Sequence, residues 1–143
     1  MSGGTGCQEV ILTRIASLFF ILFLPLFANH ISWMGDYSKA LLRAKKEHKP
    51  LMVLLVKRDC SECNRVISKL FMNQSYIDNL NTKVISVIVT KDSKTAYPIE
   101  LLYSTHFPTL FFVNSKDEVF LSEPFYGVIT KKDIKSLLTR GNI

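Results

Sequence analysis

Six consecutive apolar residues, LMVLLV at 51–56, carry no polar alternation, which predicts a strand covered on both faces. Ahead of it, Tyr37, Ala40, Leu41 and Ala44 recur at helical spacing in DYSKALLRAKKEHKP. Asp36 stands at the front, lysines and His48 at the back, and Pro50 closes the segment, so a helix precedes the strand. Behind it, Cys63, Val66, Ile67, Leu70 and Phe71 fall on one stripe of CSECNRVISKLFMN. This predicts an amphipathic helix over 60–73 with Cys60 at its N-terminus and Cys63 on the buried side. Ser75 reads as the cap of a short helix (YIDNL), and KVISVIV at 83–89 as a second buried strand. A polar loop over 90–95 and a short helix over 99–104 lead to Pro108 and a third buried strand, TLFFV, with Phe111 and Phe112 directed to opposite faces. Asn114 to Lys116 form a turn into EVFL at 118–121, a hairpin ended by EPFYG. Thr130 caps a last helix with Ile134, Leu137 and Leu138 on one side. The resulting fold class is α/β: a central mixed sheet of four or five strands sandwiched by helices.

One stretch does not belong to that pattern. In VILTRIASLFFILFLPLFA (10–28), 15 of 19 residues are apolar, Arg14 is the only charge, and no polar stripe recurs. The 14 uncharged residues from Ile15 to Ala28 suit the apolar core of a signal peptide and fall short of the roughly 20 that span a bilayer. The expected organisation is a signal peptide or uncleaved membrane anchor over 1–28 and one domain over 29–143. Cleavage after Ala28 is favoured, although Leu26 is large for a cleavage site. Either outcome exports the domain. The segment MSGGTGCQE before the apolar run holds Glu9 and no Lys or Arg, a poor leader start, so translation from near Val10 is a further expectation.

With 48% hydrophobic and 21% charged residues in 143, the chain is too apolar for a disordered one and too short for two domains of ordinary size. Lys plus Arg exceed Asp plus Glu by 18 to 12. The cations are scattered in groups such as Lys57 and Arg58 or Lys131 and Lys132, without a basic run or interleaved aromatics. They read as solvated helix faces and loop ends, and nucleic acid is not an expected partner.

Three cysteines are too few for a disulfide-stapled scaffold, and Cys7 leaves with a cleaved leader. Cys60 and Cys63, three apart at a helix start, lie on one face within reach of a short disulfide. At the helix N-terminus, free N–H groups and the positive dipole end stabilise a thiolate, which points to Cys60 as nucleophile. Cys63, one turn in, is placed to resolve a mixed disulfide. A zinc site would need four ligands, and His30, His48 and His106 show no paired spacing, so no metal is expected. A disulfide closing so small a loop contributes little stability by closure entropy, which weakens a purely structural reading.

Trp33 before a helix, Lys49-Pro50, a buried strand, the cysteine pair and HFPTLFFV together resemble the thioredoxin superfamily over about residues 33–138. The likeness is to exported bacterial thioredoxin-like thiol-disulfide oxidoreductases, including the periplasmic domain of the transmembrane disulfide interchange protein. It implies a thioredoxin fold, a cis bond before Pro108 beside the cysteines, backbone pairing of Phe107 with bound substrate, and a late family glycine at Gly127. The centre departs from the usual W-C-G-P-C: Asp59 replaces Trp, and Ser61-Glu62 replace Gly-Pro. The negative charge of Asp59 and Glu62 opposes the thiolate of Cys60 and favours the disulfide, hence a reductant, against the pull of Lys57 and Arg58. Leu54 stands where cytosolic thioredoxins carry a buried Asp, and no proton acceptor for Cys63 is evident. His106, two before Pro108, is either a thiolate-tuning neighbour or a loop histidine, and Trp33 a packing residue under the first helix.

The expected activity is therefore disulfide reduction in periplasmic proteins through the Cys60/Cys63 pair. The expected protein is a monomer needing no cofactor beyond that redox disulfide. Its partners would be substrate protein disulfides and a membrane electron donor such as a transmembrane disulfide interchange protein. It would touch the membrane only through an uncleaved leader. No G-x-G-x-x-G is present to bind a nucleotide donor. The alternative is a non-enzymatic module holding copper, zinc or a partner protein.

Overall fold

The polar residues that interrupt the apolar runs divide the chain into eight elements in a computed structural model that describes residues 30–72 and 74–139. The expected leader, with Cys7, its cleavage position and the start site, lies outside the described residues. Among these, no helix is long and apolar enough to cross a membrane. The elements are α1 (Tyr37–Glu47), β1 (Leu51–Val56), α2 (Ser61–Leu70), α3 (Gln74–Lys83), β2 (Ile85–Thr90), β3 (Thr109–Val113), β4 (Phe125–Tyr126) and α4 (Lys131–Thr139). The sheet order is β2-β1-β3-β4. β2 runs parallel to β1, whereas β3 is antiparallel to both β1 and β4. Among the described residues this is a thioredoxin-type arrangement of a four-stranded mixed sheet with four helices.

The unbroken burial of LMVLLV follows from its central place. Met52, Leu54 and Val56 point to one face, where they meet Leu110 and Phe112 together with Cys63, Val66 and Leu70 of α2, Ile77 and Leu80 of α3, and Ile134, Leu137 and Leu138 of α4. Leu51, Val53 and Leu55 point to the other, with Phe111, Val113, Val87 and the small α1 residues Ala40 and Ala44. Three helices thus cover one face and one the other. Phe111 and Phe112 divide between the faces as the period of two requires.

Side-chain caps set the helix limits. The Asp36 carboxylate accepts the N–H of Lys39 at 3.1 Å, and His48 ends α1 in the left-handed conformation. At α4 the Thr130 hydroxyl accepts the N–H of Asp133, whose carboxylate takes the N–H of Thr130 at 2.8 Å, a reciprocal cap.

Four expectations require correction. Residues 99–104 form no helix: the Pro98 carbonyl accepts the N–H groups of Leu101 and Leu102 in a single turn, and the Ser104 hydroxyl then engages the backbone N–H of His106, competing with helical pairing. EVFL is not a ladder strand, because Glu118 is left-handed (φ 57°) and only Phe120 bridges to Val113; the fourth strand is Phe125–Tyr126 inside EPFYG. Helix α3 begins at Gln74 and runs to Lys83, so Ser75 is not its cap and β2 starts only at Ile85. Trp33 packs not under α1 but on the opposite face, edge-on to Phe71 at 4.9 Å between ring centres.

The Tyr76 hydroxyl donates to the Leu70 carbonyl, tying α3 to the end of α2, and burial pushes this phenol up to about 12. Tyr37, buried beside the Glu118 carboxylate, is raised further. A raised folded value means that the neutral phenols stabilise the fold fully below the unfolded value of about 10 and that this contribution is lost as pH climbs through the folded value. The urea midpoint is expected to fall progressively from about pH 10 to about pH 12, with a shallower fall in Tyr76→Phe. Equal slopes for the two proteins would remove Tyr76 from the account.

Candidate active site

The carboxyl ends of β1 and β2 and the amino end of β3 lie at one end of the sheet, since Val56 pairs with Thr90 and Leu55 with Thr109. All the chemistry-bearing residues singled out above are attached to this end. β1 leads through Lys57, Arg58 and Asp59, the last left-handed at φ 53°, a conformation that Asp tolerates better than most residues. The turn sets Cys60 at the N-cap of α2 in an extended conformation. Its Sγ accepts the N–H of Cys63 at 3.1 Å, taking one of the donors that a helix start leaves unpaired.

Cys60 and Cys63 are joined as a disulfide with an S–S distance of 2.03 Å and Cα atoms 5.2 Å apart. Both belong to the core face shared by the three helices, but Cys60 keeps 7% of its surface and Cys63 only 2%, so an incoming reagent meets Cys60 first. Of the two neighbouring acids, Asp59 is exposed and Glu62 pairs with Arg65 at 2.7 Å on the helix surface. A solvated pair of this kind interacts weakly, and it spends part of the Glu62 charge away from the sulfurs.

The loop before β3 is built around polar side chains. The Ser104 hydroxyl lies 2.8 Å from that of Thr109, and the His106 carbonyl accepts from Thr109 at 2.6 Å. The Phe107–Pro108 peptide is cis. Gly127, at φ +65° where side chains are strained, donates its N–H to the Pro108 carbonyl at 2.8 Å, so the end of β4 braces this loop. Phe107 is half-buried and touches both cores. Its ring carries the Lys57 ammonium at 5.7 Å and that of Lys91 at 5.5 Å.

The structure thus brings Cys60 and Cys63 together and gathers Asp59, Glu62, Phe107 and Pro108 at their end of the sheet. His106 is turned elsewhere: among the described residues its ring contacts are with Thr105 and, at 6.0 Å, Tyr126, not with the sulfurs. Lys91 is the residue that sequence reasoning passed over, as part of a polar loop. The signal was present: two buried strands, each followed at once by lysine, place those lysines side by side if the strands pair in parallel. The N–H of Lys91 indeed donates to Val56 at 2.8 Å.

A family model described as thioredoxin-like matches residues 32–115, more than half of the chain. The chain belongs to the thioredoxin-like family. No curated protein sequence matches it. Among solved structures, this thioredoxin-like chain is similar to an oxidoreductase named DsbH, with 20% identity, TM-score 0.62, and coverage of 80% of this chain and 88% of that one. A candidate disulphide-isomerase of Bacteroides thetaiotaomicron gives 23% identity and TM-score 0.64, covering 79% and 97%. A thioredoxin from Thermus thermophilus gives 16% and 0.62, covering 76% and 85%. At such identities these likenesses concern the fold. A thioredoxin-like fold with a Cys60–Cys63 disulfide at a helix start supports a thiol-disulfide oxidoreductase.

Proposed function

We propose that the protein is an exported thiol-disulfide oxidoreductase that reduces disulfides of periplasmic proteins. The observation that carries this reading is the place of Cys60: N-cap of α2, Sγ on the N–H of Cys63, and bonded to Cys63 behind it. In the reduced protein the helix start favours the Cys60 thiolate, which attacks one sulfur of a substrate disulfide. That S–S bond breaks as the mixed disulfide forms, and the departing sulfur leaves as a thiolate and takes up a proton. Cys63, having given up its proton, attacks the Cys60 sulfur and releases the second substrate sulfur, which is protonated in turn. Two electrons and two protons pass to the substrate, and the Cys60–Cys63 disulfide remains.

The acids on either side of Cys60 disfavour the thiolate and so the dithiol state, which favours reduction, against the pull of Lys57 and Arg58 and the pairing of Glu62 with Arg65. Each cycle then requires a dithiol donor. The apolar leader and the likeness of the motifs to exported family members support a periplasmic location and a membrane protein, such as a transmembrane disulfide interchange protein, in that role.

Removing the resolving thiol tests the scheme. Cys63→Ala is expected to accumulate mixed disulfides through Cys60, visible as reducible higher-mass species on non-reducing gels of periplasmic extract, while multiple turnover falls to background. Absence of such adducts, together with a wild type that does not reduce a test disulfide, overturns the enzyme reading. Copper or zinc recovered at one ion per chain in that case supports a binding module.

A further inference from the structure

At the end of the sheet that carries the cysteines, a cleft of about 560 Å³ is lined by Lys57, Arg58, Lys91, Asp92, Thr105 and Phe107. We propose that this cleft selects substrate proteins whose reactive cysteine is flanked by acidic residues. The inference rests on the oxidoreductase reading and adds to it the chemical class of the substrate.

The first observation is an excess of unpaired positive charge. Three cations and one carboxylate face the cleft, and none of Lys57, Arg58 and Lys91 forms an ion pair among the described residues. Among the described residues Lys39, Arg43, Lys45, Lys49 and Arg65 form ion pairs, whereas lysines such as Lys46, Lys69 and Lys132 form none either, so what distinguishes the cleft is the convergence of its cations and not their lack of partners alone. Lys57 and Lys91 instead lie over one ring, that of Phe107. The negative face of an aromatic ring holds a cation but leaves its outward N–H donors free, so the two ammonium groups are positioned without being neutralised. Two like charges fixed together favour an anion between or above them.

The second observation is position. Lys57 is three residues before Cys60, so their Cα atoms are at most about 11 Å apart. Phe107, which the cations share, stands just before β3 at the end of the sheet that carries Cys60, so the cleft opens at that end. Extended chain advances about 3.3 Å per residue, so a carboxylate two to four positions from the attacked cysteine reaches the cleft. Parallel pairing of Val56 with Thr90 builds this arrangement into the sheet, which makes it a fixed feature of the end where exchange occurs.

The test uses the full chain, reduced beforehand, and three peptides in mixed disulfide with the same aromatic thiol. They are identical except that the residues two to four positions from cysteine are Glu, Gln or Lys. The second-order rate for Glu is expected to exceed that for Gln by about tenfold at low salt, with Lys slowest, and the ratio to shrink toward one in 0.5 M salt. In Lys57→Gln/Lys91→Gln the Glu-to-Gln ratio falls to about one, in Lys57→Glu/Lys91→Glu it inverts, and in Lys57→Arg/Lys91→Arg it persists. Ratios are compared within each protein, so a general change in Cys60 reactivity cancels. Equal rates for the three peptides, or a preference for Glu that survives in the Gln and Glu double variants, overturns the proposal while leaving the oxidoreductase reading intact. Failure to reduce any peptide overturns both.

Discussion

Cys60→Ser is expected to abolish disulfide reduction entirely, leaving the rate at that of the uncatalysed reaction, although the domain keeps its fold. The hydroxyl is nearly isosteric and can still accept the Cys63 N–H at the N-cap, so the helix start retains its partner. It cannot, however, form a disulfide with substrate, because the exchange requires a sulfur nucleophile. Cys63 alone cannot substitute, being 2% exposed and one turn inside α2. Turnover of a fluorescent disulfide peptide and the far-ultraviolet circular dichroism of the variant decide the matter together. Residual activity above a few per cent with native dichroism would transfer the nucleophile's role to Cys63.

The second large effect is on stability. Phe112, without any exposed surface, stands on β3 opposite Met52 in the core face beneath the three helices, in the same cluster as both cysteines. Phe112→Ala removes most of a ring from a site walled by a rigid sheet, and such truncations cost about 3–5 kcal/mol. Against a total of about 5–15 kcal/mol for a domain, that is a large share. The melting temperature is expected to drop by about 10–25 °C, followed by circular dichroism. Since α2 rests on this cluster, the variant should also lose the fixed placement of Cys60 and reduce substrate more slowly below its own Tm. A drop under about 5 °C would mean that the helices close over the space.

Much of the domain is legible in the residues because its strongest signals are local. LMVLLV and TLFFV need only their own apolarity to be read as covered strands, and Asp36, Cys60 and Thr130 mark helix starts by their own side chains. The cysteine pair declared the site for the same reason. What escaped is what depends on distant partners. The apolar content of 99–104 favours a helix, but Ser104 is engaged by Thr109 beyond it. EVFL has strand composition, yet a left-handed Glu118 interrupts it, while FY in EPFYG finds Thr109 and Leu110 across the sheet. The face that Trp33 packs on is hidden in the sequence because its partner, Phe71, is 38 positions away. The role of Lys91 likewise appears only once β1 and β2 are set in register.

Residues 31–34 bear on a hazard of open sheets. A free strand edge offers unpaired N–H and C=O groups on which another chain can add, the first step of edge-to-edge aggregation. On the outer side of β2, Met34 takes these groups: its N–H donates to the Ser86 carbonyl at 2.9 Å and its carbonyl accepts from Ile88 at 2.9 Å, while Ile31 is buried in the core. The opposite edge, β4, is two residues long and leads straight into Gly127 at positive φ. The very apolar central strands are thereby shut between a stitched edge and a stub. A native sheet bounded in this way offers little ladder for a second copy to extend.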